Sequence, residues 1–316
     1  MKSYSVIIPC YKSSKTIKTV VTSTVDEFAN LGIRDYEFVL VNDCSPDDGA
    51  TREAIFELAQ QYSFVKAVDL GKNTGQHNAL IAALNFASGD FIISMDDDMQ
   101  CRPSEIIKLI NKINEGYDVV YGYYEKIEES LFRRFGSLVH YWTVRYLMGK
   151  PKDLKTSSFW IIRKYVRDYI VRYTYPQVSM QGLFLRITNN ITCTPLQHFE
   201  REIGTSGYTL KKLLRQYNND LALSVKLLDN SLLIGLFFAL LGVIGILWNL
   251  IYKLIVPGAA IGLPVIGWII VFFSGLILTA IGVLGNYLGR MYRGQTNDPQ
   301  FVIRETRNIQ GKGKEQ

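Results

Sequence analysis

Residues 91–100 read FIISMDDDMQ. Phe91 to Met95 is a short apolar run, the pattern of a buried strand, and three aspartates follow without a break. Adjacent carboxylates repel one another, so a strand ending this way implies a cation that shares the site. Side chains alternate along extended chain, which turns Asp96 and Asp98 to one side and Asp97 to the other. At the carboxyl edge of an α/β sheet, an Asp-x-Asp pair is where a divalent metal and a nucleoside diphosphate meet. A solvated acidic turn is the alternative reading of such a pair in isolation.

The chain before this stretch alternates strand and helix. Tyr4 to Ile8 is β-rich, with Pro9 as its expected end, and residues 15–30 carry Ile17, Val20, Val21, Val25 and Phe28 at helical spacing. YEFVLV (36–41) reads as a second strand, closed by the turn-rich NDCSPDDGA. A helix over 51–62 and a strand over 65–70 follow, then the glycine-bearing loop GKNTGQHNAL, a helix over 78–87 and the turn SGD. This β-α-β-α-β-α-β order predicts a doubly wound, mostly parallel α/β sheet.

The C-terminal third differs. Neither 230–252 nor 254–289 contains a charge, and each exceeds the roughly 20 apolar residues that a helix needs to cross a bilayer. Pro257 and Pro264 mark a loop between them, so the expectation is a two-helix transmembrane hairpin, with a buried soluble hairpin as the alternative. Trp248, Tyr252, Trp268 and Tyr287 fall near the expected interfaces. Only Lys253 lies in the loop, whereas Lys211, Lys212, Arg215 and Lys226 precede the hairpin and Arg290 and Arg293 follow it. That asymmetry predicts the N-terminal domain and the tail on the cytoplasmic side of the membrane. Four cysteines, with no CxxC spacing, argue against a zinc site or disulfide framework.

Net charge is +6, but residues 1–129 carry −8, residues 130–215 carry +11 and residues 216–316 carry +3. Positive charge just ahead of the spans suits anionic headgroups and a phosphorylated lipid better than nucleic acid. From Glu129 to Met148, apolar residues recur at helical spacing with Arg133, Arg134 and Arg145 among them. This fits an amphipathic helix lying in the membrane surface, or else a core-packed helix. The expected regions are a core over 1–128, an acceptor side with interface helices over 129–229, the hairpin over 230–289 and a tail over 290–316.

SVIIPCYK, EFVLVNDCSPDD, NTGQHNAL and SGDFIISMDDDMQCRPSEI, in this order and spacing, resemble the family 2 inverting glycosyltransferases of the GT-A fold. With the two expected spans the chain is similar to the polyprenyl-phosphate group: dolichol-phosphate mannose synthases, bactoprenol glucosyltransferases and undecaprenyl-phosphate aminoarabinose transferases. MDDDMQ stands at their D-x-D-x-Q, and HFEREIGTSGYT resembles their H-x-x-R-x-x-G-x-S-K-Y.

The resemblance implies a nucleotide pocket from Pro9, Tyr11, Asp43, Asn73, Gln76 and Asp96, with Asp43 reading the base. An Asx-turn role for Asp43 and a plain core role for Tyr11 stay open. Asn73, Gly75 and Gln76 begin a helix whose N–H groups favour an anion. The resemblance further implies Mg²⁺ or Mn²⁺ on Asp98 with Asp96, Gln100 at the sugar, Arg201 near the diphosphate, and Arg133, Ser206 and Tyr208 at the acceptor phosphate. The implied partners are a UDP-, GDP- or dTDP-sugar, a polyprenyl (undecaprenyl) phosphate and the membrane, with homo-oligomers common among such enzymes.

Some positions depart from the family. Gly207 replaces a lysine, YGYYEK lacks an expected arginine, and KTSSFW puts Lys155 and Trp160 where Asp and Arg are usual; Asp153 is a stand-in out of register. The alternatives to a lipid-phosphate transferase are a processive polysaccharide synthase, disfavoured by the missing Q-x-x-R-W, and a non-catalytic lipid-binding scaffold. The tail over 301–304 alternates enough for a short strand, with a neighbouring subunit as its expected partner.

Overall fold

The computed structural model describes residues 2–99, 102–124, 151, 153–175, 179–197 and 299–309, with isolated positions between Ile266 and Met291. The chain divides into two compact units, Met1–Asp220 with Asn297–Gln316, and Leu221–Thr296. The first unit holds an eight-stranded sheet. In chain order its strands are β1 Tyr4–Cys10, β2 Tyr36–Asn42, β3 Val65–Leu70, β4 Phe91–Ser94, β5 Val119–Tyr124, β6 Trp160–Arg163, β7 Ile191–Leu196 and β8 Ile303–Arg307. Its described helices are α1 Ile17–Asn30, α2 Ala50–Gln61, α3 Gln76–Phe86, α4 Ile106–Asn114, α5 Lys164–Ile170 and α6 Met180–Ile187.

Strand order is β7-β5-β6-β4-β1-β2-β3-β8. The β1–β2, β2–β3, β1–β4 and β5–β7 pairs are parallel, while β6 and β8 run antiparallel to their neighbours. The expected parallel core is therefore present, and the order reverses between β1 and β4. Central strands covered on both faces read as continuous apolar runs. Val6 and Ile8 pack on one side with α1, α2 and α4; Ile7 packs on the other with α3, α5 and α6. Helix α3 is buried almost all round, from Ala79 to Leu84, which explains its weak polar periodicity.

Two expectations need correction. Pro9 does not end β1; it lies inside the strand opposite Val41. Ile7 faces β4, because Met95 N donates to its oxygen, and Cys10 faces β2, because Asp43 N donates to its oxygen. Pro9, in step with Ile7, turns its missing N–H toward β4, where the ladder has already ended at Ser94. The tail strand β8 is present, but it pairs antiparallel with β3 of its own chain. Residues 303–307 thus complete an edge of the sheet.

No helix among the described residues is long and apolar enough to cross a membrane. The expected hairpin over 230–289 lies outside the described residues apart from isolated positions, and the expected interface helix over 129–148 lies outside them altogether.

Candidate active site

In an open α/β sheet, ligands bind beyond the carboxyl ends of the strands where the strand order reverses. Here that point lies between β1 and β4, and the aspartates follow β4 directly. Asp97 turns toward β1: its Oδ2 accepts from Tyr11 N (3.1 Å) and from the Ser13 hydroxyl. Asp96 turns the other way, accepting from Gln76 Nε2 at Oδ1 (3.0 Å) and from the Ser158 hydroxyl at Oδ2. The opposed directions read from strand alternation are therefore observed for this pair. Asp98 is half-buried beside them. Burial pushes the Asp97 carboxyl above its ordinary value, outweighing the hydrogen bonds from Ser13 and Tyr11, and the Asp98 charge adds to the rise.

The loops after β2 and β3 are tied to each other by Asp43, which is only 4% exposed. Its Oδ1 accepts from Thr74 N (2.7 Å) and Thr74 Oγ1 (3.1 Å), and its Oδ2 from Gly75 N (2.9 Å). Asn73 Nδ2 donates to the Asp43 backbone oxygen at 3.0 Å. The N–H groups of Thr74 and Gly75, just ahead of α3, thus already hold an anion, the chain's own Asp43. Burial also raises the Asp43 carboxyl, against the lowering effect of the Thr74 and Gly75 hydrogen bonds. Gln76, next in line, reaches Asp96, so NDCSPDD, NTGQ and MDDD meet in one hydrogen-bonded chain.

A second set lies alongside. Asn42 donates to Asp69 Oδ1 (2.7 Å) and accepts from Ser45 Oγ (2.6 Å), and that hydroxyl oxygen accepts from Lys12 N (3.0 Å). Lys12, Cys44 and Met99, in the loops after β1, β2 and β4, hold left-handed backbone with φ of 62°, 47° and 59°. Such conformations are costly for residues with a Cβ, and they gather where a structure fixes a binding edge. Tyr11 leaves 47% of its surface exposed there, so the open alternative of a plain core aromatic does not apply.

Pro9, Tyr11, Asp43, Asn73, Gln76, Asp96 and Asp98 all stand at this one edge. Gln100, Arg133, Arg201, Ser206 and Tyr208 lie outside the described residues. Trp160 is 1% exposed and packs edge-on to Phe184, a core position, while Lys155 Nζ sits 4.1 Å from the centre of the Tyr123 ring. Asp153 is exposed, and no contact among the described residues joins it to the aspartates.

Two functional candidates were missed by sequence reasoning. Ser13 carried no motif signal of its own. Ser158 was legible only through register: β4 and β6 pair antiparallel with Ser94 opposite Trp160, which sets Asp96 opposite Ser158 two residues on.

Among the described residues, no group of three or more His, Cys, Asp or Glu forms a complete metal cage. The carboxylate oxygens of Asp96 and Asp98 do fit a hard cation that takes one or two protein ligands and leaves the rest of its shell to diphosphate oxygens and water.

A mixed sheet whose strand order reverses beside an aspartate cluster has the ligand crevice of open α/β proteins, and the family narrows it. The model of glycosyl transferase family 2 matches residues 5–170, and the chain belongs to that family. It is 30% identical over 307 residues to the undecaprenyl-phosphate 4-deoxy-4-formamido-L-arabinose transferase of Klebsiella pneumoniae strain 342, covering 96% of this chain and 93% of that one. The Yersinia enterocolitica serotype O:8 enzyme of the same name is 30% identical over 313 residues, covering 96% and 94%. Glucosyl-3-phosphoglycerate synthase from Mycobacterium tuberculosis, solved with Mn²⁺, UDP and glucosyl-3-phosphoglycerate, is 17% identical with a TM-score of 0.47, covering 70% of this chain and 78% of that one. That likeness is too distant to bear on the site.

Proposed function

We propose that the chain is a membrane-anchored inverting glycosyltransferase that moves a sugar from a nucleoside diphosphate sugar to undecaprenyl phosphate or a related polyprenyl phosphate. The observation that carries this reading is the joining of the loops after β1, β2, β3 and β4 in one hydrogen-bonded set, in which Tyr11 reaches Asp97, Gln76 reaches Asp96 and Asp43 holds the loop that carries Gln76, in a chain that matches transferases named for undecaprenyl phosphate over 96% of its length.

In this reading Asp98, with Asp96, would hold Mg²⁺ or Mn²⁺, which would supply positive charge toward the leaving nucleoside diphosphate. Gln76 and Ser158 aim Asp96, and Asp97 fixes the loop after β1 that carries Tyr11 against the nucleoside. The acceptor phosphate is already anionic near neutral pH, with its second pKa near 6. It needs positioning more than a general base. The basic stretch over 130–215, including Arg133 and Arg201, supplies a screened approach for it. Direct displacement then inverts the anomeric carbon without a covalent intermediate. The uncharged runs over 230–289 anchor the enzyme in the inner membrane with the sheet on the cytoplasmic side.

The test is incubation of the purified full-length chain with Mn²⁺, radiolabelled UDP-, GDP- and dTDP-sugars and undecaprenyl phosphate in detergent. The expected result is label extracted into organic solvent from one of the donors. Label retained as polymer identifies a processive synthase, and no transfer from any donor identifies a scaffold.

A further inference from the structure

Strand β8 brings a residue of the tail to the nucleotide edge. The β3–β8 ladder pairs Asp69 with Glu305 and Leu70 with Ile303, and the register shift between those pairs leaves Arg304 as the extra residue of a bulge. Bulges re-aim side chains, and this one turns Arg304 to the carboxyl ends of β2 and β3. Its Nη1 lies 3.4 Å from Oδ2 of Asp69, whose side chain is wholly buried, and its Nη2 donates to the Gly71 oxygen (3.2 Å) and to Cys44 Sγ (3.9 Å). The guanidinium therefore bridges the loop after β2 to the loop after β3. A guanidinium carries five N–H donors. These contacts use three, and those left on Nε and Nη1 have no protein acceptor among the described residues. The Arg304 side chain remains 49% exposed.

The direction of the nucleotide follows from the aspartates, given the proposed function on which this step rests. With the diphosphate at the β1–β4 reversal, the nucleoside runs along the loops after β1, β2 and β3. The distance from β1 to β3 is two strand spacings, about 10 Å. That places the base over Cys44 and Gly71, beside Arg304. Asp43, the residue the family resemblance assigned to the base, is 4% exposed and already takes three loop donors.

We propose that Arg304 of the tail strand reads the group at C4 of a pyrimidine or C6 of a purine, selecting bases with a carbonyl oxygen there (uracil, thymine, guanine) over those with an amino group (cytosine, adenine). A guanidinium N–H finds an acceptor on O4 of uracil or thymine and O6 of guanine, but meets another donor on N4 of cytosine or N6 of adenine.

Binding of UDP against CDP, and of GDP against ADP, to the full-length chain with Mn²⁺ tests this by isothermal titration. The wild type is expected to favour the keto member of the better-bound pair by about tenfold or more. Arg304→Ala is expected to bring that ratio close to one by weakening the keto member, while Arg304→Gln, which keeps an N–H donor, retains part of it. Should Arg304→Ala fail to fold, Arg304→Ala combined with Asp69→Asn removes the buried charge left without its guanidinium and takes its place. Equal weakening of both members with the ratio unchanged makes Arg304 only a brace for Asp69 and overturns the inference, as does an unchanged ratio at unchanged affinity. A wild type that binds no nucleoside diphosphate overturns the proposed function together with it.

Discussion

Glu37, at the amino ends of the parallel strands, and Asp43 and Asp97, at their carboxyl ends, are buried carboxylates held in opposite ways. At the amino ends, Glu37 accepts from Ser5 Oγ (2.6 Å), Ser88 N (2.6 Å) and Ser88 Oγ (2.9 Å), and Lys66 Nζ lies 2.6 Å from its other oxygen. Burial pushes this carboxyl up, but the Lys66 and Ser5 bonds and the Ser88 N–H outweigh it and hold it below its ordinary value. Gly89 completes this end: a Cβ there would lie 2.7 Å from Ser5 N, so the close approach admits only glycine. At the carboxyl ends, Asp43 and Asp97 are also hydrogen-bonded, yet both carboxyls are raised, because no cation among the described residues offsets their burial. Glu37 thus has a cationic partner at one end; at the other, Asp69 has the Arg304 guanidinium, while Asp43 and Asp97 are held by hydrogen bonds alone among the described residues. On the proposed function, the first end serves stability and the second chemistry.

The comparison breaks most readily at Asp98. Asp98→Ala is expected to lower transfer by about 100-fold or more, equivalent to about 2.7 kcal/mol. Its folding stability should change much less than its activity, since the side chain is half-exposed. Calorimetry beside the transfer assay checks both halves, and a large loss of stability would mean that the two ends do not divide their roles.

Asp43→Ala should act on both counts. It strands the Thr74 and Gly75 N–H groups and frees the loop before α3, costing about 2 kcal/mol in denaturant unfolding and raising KM for the nucleotide sugar.

Glu37→Gln is the converse of Asp98→Ala. It sets an amide NH₂ beside the Lys66 ammonium and should cost about 1.5 kcal/mol near pH 7 while leaving kcat/KM of the folded enzyme unchanged. The folded carboxyl titrates below its ordinary 4.5, so its stabilisation is fully present above that value and is lost as pH falls through the lower folded value. The gap between wild type and Glu37→Gln in unfolding free energy should therefore close on acidification below about pH 4.5. The smallest effect is expected at Ser158→Ala, about fivefold in kcat/KM, or roughly 1 kcal/mol, from one hydrogen bond that orients Asp96.

The doubly wound core was legible because its strands are apolar runs bounded by Gly, Pro and Asp turns, and those signals are local. β4 is as short as β6 but is bounded by the SGD turn and the aspartates, whereas nothing local marks Trp160–Arg163 as a strand or sets it antiparallel beside β4. Ser158 stayed hidden for the same reason. Asp43 was placed at the right edge, but its hydrogen bonds turn inward to Thr74 and Gly75 through a loop closure that composition does not encode. The strand in the tail was legible from alternation, whereas its partner was not: an edge strand fits any open edge, and β3 offers one within the same chain.

The division between the two ends is tested most directly by Mn²⁺ binding, followed by electron paramagnetic resonance, with and without a nucleoside diphosphate chosen from UDP, GDP and dTDP. The predicted result is Mn²⁺ bound more tightly when the nucleotide is present, the effect lost in Asp98→Ala and intact in Glu37→Gln. Mn²⁺ affinity indifferent to nucleotide, or equal in wild type and Asp98→Ala, would contradict a cation site at the carboxyl ends.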